Sequence, residues 1–468
     1  MIIKQIYTGC LAQGAYYIES NGEVAIIDPL REVQDYMDRA ANNNAKINYI
    51  FETHFHADFV SGHVTLAEKT GAKIVYGPTA KTNFEATIAT DNQIFKVGDI
   101  TITVLHTPGH TMESCCYLLK DKNGKDKALF SGDTLFLGDV GRPDLAQKSN
   151  FTEKDLAGFL FDSLRNRILP LADDVIVYPG HGSGSACGKN LSKETVGTIG
   201  NQKETNYALR ADMTKEEFIK ELTDGLLPPP AYFPLNVKLN KEGYKSTEDV
   251  IKNSAKPLSV KHFEAISNET DAVILDVRHQ SEFVKGFIPQ AIFIGIDGGF
   301  APWVGALIED ITQPILLVTP EGREEDTITR LSRVGFDNVL GYLKGSFAAW
   351  KKAGNEVDTL NAIAADVLQE QIKDKMPIFD VRKPGEYATE HVKVAESTPL
   401  DFLNNYHTEF PKKGNFYLYC QGGYRSVIAA SMLKARGFHN VIDVTGGYDA
   451  IKTSTIERTT AASPSTLK

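Results

Sequence analysis

The chain has 468 residues, 42% of them hydrophobic and 24% charged. That is an ordinary globular composition, which excludes a disordered or fibrous chain, and the length suits about three domains. With 60 acidic against 50 basic residues the formal charge is −10, a poor match to a nucleic-acid backbone. The five cysteines, Cys10, Cys115, Cys116, Cys187 and Cys420, are odd in number and sparse; they suit reduced thiols rather than a disulfide framework. Met1-Ile-Ile-Lys-Gln-Ile-Tyr has no basic start leading into an apolar core. No apolar run approaches the roughly 18 residues that span a bilayer. The expectation is a soluble, cytoplasmic protein with neither nucleic-acid nor membrane partner.

The first part of the chain alternates short apolar runs with breakers. Glu23-Val-Ala-Ile-Ile-Asp28-Pro29, Ile47–Glu52, Ala72–Tyr76, Ile100–Leu105, Ala128–Ser131 and Val175–Tyr178 read as strands. Several of them end where a histidine or aspartate begins. Cys115-Cys116-Tyr-Leu-Leu reads as a further strand with packing thiols. Thr214-Lys-Glu-Glu217 opens a helix with a capping box. Leu226-Leu-Pro-Pro-Pro-Ala-Tyr-Phe-Pro234 is expected to carry no helix and to form a strap leaving the first domain.

The rest of the chain repeats itself. Ile274-Leu-Asp276-Val-Arg278 returns as Ile378-Phe-Asp380-Val-Arg382, and Gly335-Phe-Asp-Asn-Val339 returns as Gly437-Phe-His-Asn-Val441. Two copies of a parallel α/β domain account for this. The expected boundaries are residues 1–245 with the strap, 255–355, 360–455, and a polar tail over 456–468.

Four segments of the first domain carry metal-binding residue types: Thr53-His54-Phe55-His56-Ala57-Asp58-Phe59, Thr107-Pro108-Gly109-His110, Ser131-Gly132-Asp133, and Pro179-Gly180-His181. Neutral imidazole and carboxylate are the donors that zinc and ferrous iron accept. His63 and His106 read as structural. The order His54-x-His56-x-Asp58, His110, Asp133, His181 resembles the metallo-β-lactamase superfamily, which implies an αβ/βα sandwich with a metal site at one edge. The superfamily usually places a histidine after the aspartate, where this chain has Phe59; a second metal loses a ligand there, so a mononuclear site is favoured. Within the superfamily the motifs resemble persulfide dioxygenases, together with Gly141-Arg142-Pro143-Asp144. That resemblance implies one Fe(II) per chain held by His54, His110 and Asp133, with His56, Asp58 and His181 around it. Arg142 is a candidate for a substrate carboxylate, or equally for an ion pair with Asp144. Cys187, in a Gly-rich loop, is a further candidate beside the substrate.

In the last copy a strand ends in Cys420-Gln421-Gly422-Gly423-Tyr424-Arg425-Ser426, followed by a helix. A cysteine facing a helix N-terminus has its thiolate stabilised by backbone N–H groups, and Arg425 adds positive charge. The loop resembles single-domain rhodaneses, which carry sulfur as a cysteine persulfide; Cys420 and Arg425 would be catalytic, and Gln421, Gly422, Gly423, Tyr424 and Ser426 would cradle the sulfur. The middle copy has Thr319-Pro-Glu-Gly-Arg-Glu-Glu325 instead, a loop read as one residue shorter and catalytically inactive.

The whole order resembles fusions of a persulfide dioxygenase with a sulfurtransferase. The resemblance implies oxidation of a low-molecular-weight thiol persulfide by O2 to sulfite, with Cys420 giving or consuming thiosulfate, as in sulfide detoxification. The alternatives are a zinc thioester hydrolase of glyoxalase II type with an appended sulfurtransferase, and a persulfide-sensing binding protein. The sequence leaves open the carrier thiol, the direction of sulfur transfer and the oligomeric state, a homo-oligomer included.

Overall fold

The computed structural model describes residues 1–145, 151–189, 191–372 and 376–460. It divides into two compact units, Met1–Asp249 with Ser332–Gly335, and Val250–Leu331 with Phe336–Lys468.

The first unit is built on two six-stranded sheets. One runs in chain order through Ile2–Thr8 (β1), Gln13–Ser20 (β2), Glu23–Ile27 (β3), Lys46–Phe51 (β4), Lys73–Tyr76 (β5) and Thr87–Ile88 (β6). The other comprises Ile94–Val97 (β7), Ile100–His106 (β8), Cys115–Lys120 (β9), Asp126–Gly132 (β10), Ile176–Pro179 (β11) and Gly197–Thr198 (β12), again in sequential order. The period-2 alternation of strands decides the layers. Ile27, Tyr117 and Phe130 belong to the cluster shared by the two sheets. Their neighbours turn away: Ile26 packs with Tyr36 and Leu66 on one side, and Leu118 and Leu129 pack with Leu160 and Phe218 on the other. Helices therefore cover both outer faces, giving the αβ/βα sandwich.

The Thr214 capping box forms as expected, with the Lys215–Thr223 helix behind it. The strap is a correction. It ends in a helix, Phe233–Glu242, with Pro234 in the first turn, where a missing N–H costs nothing because that donor has no intrahelical partner anyway. This helix lies in the first unit.

The second unit contains the repeat. Pro257–Leu258 (β13), Val273–Asp276 (β14), Ile292–Phe293 (β15), Ile315–Val318 (β16) and Val339–Leu343 (β17) form a parallel sheet ordered β13-β17-β16-β14-β15. In the last copy the strands are Asn361–Ile363 (β18), Ile378–Asp380 (β19), His391–Val392 (β20), Ala395–Ser397 (β21), Phe416–Tyr419 (β22), Val441–Val444 (β23) and Arg458–Thr459 (β24). Five of them form a parallel sheet ordered β18-β23-β22-β19-β21, and β20 pairs with β24 as a separate ribbon. The two sheets share one topology. The expected polar tail is anchored further than its composition suggested: Ile456 is buried and β24 is paired, while residues 461–468 lie outside the described residues. Among the described residues no helix is long and apolar enough to cross a membrane.

Candidate functional site

In the first unit the chemistry collects at strand ends. Asp28 follows β3, Thr53 and His54 follow β4, His110 follows β8, Asp133 follows β10 and His181 follows β11. Gly180 is required by the packing: a Cβ there would lie 2.5 Å from Asp133 Oδ1.

His54, His110 and Asp133 are buried and offer donor atoms that all lie within 4.8 Å of one another. His110 Nε2 is 3.5 Å and His54 Nε2 3.9 Å from Asp133 Oδ2. Their other ring nitrogens define the tautomers. His110 Nδ1 lies 2.8 Å from the Arg142 carbonyl, which only accepts, so Nδ1 carries the proton and Nε2 presents its lone pair. Thr53 Oγ1 donates to Asp28 Oδ2 at 2.9 Å and is 3.0 Å from His54 Nδ1; with its proton spent on Asp28 it accepts from Nδ1, and His54 Nε2 is again free. Burial, then the neighbouring imidazoles, hold the His54 pKa well below the usual histidine value, keeping the ring neutral. Both carboxylate oxygens of Asp133 are buried without a hydrogen-bond partner. A buried carboxylate left so is costly unless a cation meets it. Two lone pairs and an unpartnered carboxylate fit a divalent metal ion.

His56 has a different environment. Its Nε2 lies 3.1 Å from Asp28 Oδ1 and 3.3 Å from Glu52 Oε2. Burial disfavours its charge, but the two carboxylates outweigh burial and raise its pKa well above the usual value. Glu52 is itself raised by burial and also accepts from Ser61 Oγ. His63 Nδ1 lies 3.5 Å from Glu52, in keeping with a structural part, and His106 Nε2 is 3.0 Å from the Met112 carbonyl.

His181 Nε2 lies 3.5 Å from Asp58 Oδ2 and 3.6 Å from Asp133 Oδ1. His56, Asp58 and His181 form a second group of donors, and Cys187 joins Asp133 and His181 in a third. Burial, then the negative charge of Asp58 and Asp133, raises the Cys187 pKa well above the usual thiol value. Phe59 is fully buried, its ring 4.4 Å from that of His56. The Arg142 guanidinium makes a two-pronged pair with Asp144, both contacts 2.6 Å, and donates to the Ala186 and Leu227 carbonyls. Of the two readings of Arg142, this is the geometry of the ion pair.

Sequence reading missed Asn240. Buried on the Phe233–Glu242 helix, it donates to the His56 and Phe59 carbonyls, each at 2.8 Å, and accepts from Ser61 N at 2.9 Å. Asp28 and Glu52 were likewise seen only as strand ends.

In the second unit Cys420 is buried at the end of β22, and its Sγ accepts from Gly423 N at 3.1 Å and from Ser426 Oγ at 3.5 Å. Gly423, at φ +94°, caps the Tyr424–Ala435 helix, and that conformation favours glycine. Gln421 is fixed by Arg382 and Asp449, and Gly422 above it is exposed. The Arg425 guanidinium is held by both oxygens of Glu386, at 2.6 and 2.8 Å. In the middle copy Thr319 is buried at the end of β16. Its loop is not the shorter one: residues 319–323 precede the Glu324–Arg333 helix, against residues 420–423 before Tyr424.

Asp443 on β23 is buried, and burial lifts its carboxyl to about 7, with the neighbouring Ser426 hydroxyl opposing the rise. A carboxyl raised in the folded state adds stability that is complete below its unfolded pKa and is lost as pH rises through about 7. Asp443→Asn is therefore expected to melt higher than the native chain at pH 8, by roughly 2–4 °C or more, with the gap closing toward pH 4. Thermal melts of both proteins across that range check it.

A two-sheet sandwich with imidazoles and carboxylates gathered at its strand ends is the architecture of a metal-binding enzyme domain. Residues 8–181 match the family model described as the metallo-beta-lactamase superfamily, and residues 259–353 and 364–454 each match the rhodanese-like domain. A crystal structure of a metallo-beta-lactamase from Staphylococcus aureus subsp. aureus COL is 30% identical in sequence, with a TM-score of 0.65, covering 73% of this chain and 98% of that one. The chain belongs to the metallo-beta-lactamase superfamily, with two rhodanese-like domains after the sandwich. Among curated proteins it is similar to a probable hydroxyacylglutathione hydrolase of Schizosaccharomyces pombe, 32% identical over 160 residues, 34% of this chain. It is also similar to a cytoplasmic hydroxyacylglutathione hydrolase of Arabidopsis thaliana, 30% identical over 184 residues, 38% of this chain. The chain spans 58% of the first relative's length and 67% of the second's.

Proposed function

We propose that the protein oxidises a low-molecular-weight thiol persulfide with O2 at a single ferrous ion in the first unit and moves sulfane sulfur through Cys420 in the second. The observation that carries this reading is Phe59. At the position where a binuclear hydrolase of this superfamily needs a further imidazole, the chain buries an apolar ring against His56, which is tied to Asp28 and Glu52. His54, His110 and Asp133 form a set of two imidazoles and one carboxylate within reach of a single ion. Two histidines and one carboxylate form the facial set of non-haem iron oxygenases. A ferrous ion held by these three residues would supply redox chemistry toward the persulfide and O2. The chain's own residues do the positioning: Thr53 and the Arg142 carbonyl fix the two rings, and Asn240 fixes the loop that carries His56 and Phe59. The net reaction is RSSH + O2 + H2O giving RSH, sulfite and two protons.

At Cys420 the thiolate attacks the sulfane sulfur of thiosulfate. The S–S bond breaks, sulfite leaves with its electron pair, and the cysteine holds the persulfide. Sulfite attacking the outer sulfur of that persulfide runs the step backward. The sulfite made by one site is thus a reactant of the other. A cytoplasmic location and the boundaries 1–245, 255–355 and 360–455 accompany this reading, with an inactive middle copy.

A second reading has a specific support: the curated relatives are named hydroxyacylglutathione hydrolases, the glyoxalase II class of thioester hydrolase. Those names favour zinc-dependent thioester hydrolysis over persulfide oxidation, and they also favour a glutathione-type thiol in either case. Metal analysis of the purified protein with O2 uptake on glutathione persulfide decides. Iron with uptake is expected; zinc with cleavage of S-lactoylglutathione would put the hydrolase in its place. Phe59→His supplies the absent imidazole, and its metal content is expected to rise from about one toward two ions per chain. An unchanged ratio in a folded variant would remove the weight given to Phe59.

A further inference from the structure

The middle rhodanese-like copy has no cysteine, yet it grips the helix on which the Cys420 loop is built. Tyr424, the first residue of that helix, follows Gly423, whose N–H is bonded to Cys420 Sγ. The Tyr424 hydroxyl donates to the Gly295 carbonyl of the middle copy at 2.7 Å. Its ring stands edge-on to Phe293, centroids 5.9 Å apart at 73°. Gly298 leaves the ring its place: a Cβ there would lie 2.3 Å from Tyr424 Cζ. Two turns along the same helix, Ser431 Oγ accepts from Phe293 N at 2.9 Å. A cavity of about 250 Å³ borders the ring, lined by Arg278, His279, Gln280, Asp297 and the two glycines.

We infer that the Gly295–Gly298 segment of the cysteine-free copy is a positioning element for sulfur transfer, which sets the Gly423 N–H against Cys420 through the side chain of Tyr424. This rests on the reading of Cys420 as a sulfur carrier. The middle copy has lost the nucleophile and kept a mechanical task. Its loop fixes the first residue of the helix, and the first residue fixes the N–H that meets the sulfur. Because reaction geometry is sensitive to displacements of an ångström, a small shift of the Tyr424 ring is enough to slow the step.

Gly298→Ala tests it. The added methyl moves the ring toward the neighbouring cavity, and the three atoms nearest to it all belong to the Tyr424 side chain. With thiosulfate as donor and cyanide as acceptor, kcat is expected to fall about tenfold while KM for thiosulfate stays within about twofold. Alkylation of Cys420 by iodoacetamide at pH 7, followed on the Cys420 peptide by mass spectrometry, is expected to slow by a similar factor. Ser431→Ala removes the other grip without touching the helix start, and is expected to lower the melting temperature while leaving kcat and alkylation as in the native chain. Native kcat and alkylation in Gly298→Ala would overturn the inference. So would an equal loss of kcat in Ser431→Ala, because the effect would then be general loosening. A native chain that transfers no sulfur would instead overturn the carrier role of Cys420, and the alkylation comparison would still report on the grip.

Discussion

His110→Ala is expected to cost the protein its bound metal and about 100-fold or more of its O2 uptake on glutathione persulfide, while sulfur transfer from thiosulfate to cyanide stays within about twofold of native. The argument is geometric. Of the three donors within 4.8 Å, His110 is the one whose ring is fixed by the Arg142 backbone. Without it, His54 and Asp133 are left to hold an ion alone, and Asp133 keeps two buried oxygens with nothing to meet them. The variant's melting temperature is expected to depend little on added metal, whereas that of the native chain rises with metal because binding favours the folded state. Cys420 lies in a unit with its own core, which includes Tyr417, Tyr419 and Tyr448, so its chemistry has no reason to follow. Metal analysis, oxygen electrode traces and a sulfur-transfer assay on one preparation check all three statements. A joint loss of both activities in a folded variant would show that the sites are not independent.

Cys420→Ser reverses the pattern. The hydroxyl is close in size to the thiol and can still accept from Gly423 N and Ser426, so the loop is expected to keep its form and the melting temperature to change by no more than about 2 °C. Serine forms no stable persulfide. Sulfur transfer is expected to fall to the uncatalysed background, a loss of about 1,000-fold or more. O2 uptake is expected to continue and sulfite to accumulate in place of thiosulfate. Thiosulfate formed at the native rate would place the carrier elsewhere in the chain.

Much of this protein is legible in its sequence because the signals are local. Strands such as Glu23–Ile27 and Cys115–Lys120 declare themselves as apolar runs ended by breakers, and the Thr214 capping box needs only four consecutive residues. The histidines and Asp133 stand beside Gly or Pro at those strand ends. What stayed hidden depends on partners far away in the chain. Nothing near Asp28 announces that it steers Thr53 and, through it, His54; nothing near Glu52 announces its pairing with His56. The Phe233–Glu242 helix is masked by Pro234 in its first turn and by the three prolines that precede it. Arg142 offered two readings because a guanidinium accepts a substrate carboxylate or Asp144 equally well, and only coordinates show which one it faces.

Asn240 sets a limit on how the first unit can be dissected. A fragment trimmed within Pro228–Pro230, where composition invites a cut, would discard a side chain that serves the backbone at His56, Phe59 and Ser61 together. Two carbonyls and an amide would be stranded in the interior beside the metal donors, each worth about 1–3 kcal/mol. Expression of the metal-binding half by itself should therefore carry the chain past the Phe233–Glu242 helix. A shorter version would be a poor witness, because its silence would report a slack loop rather than an absent activity.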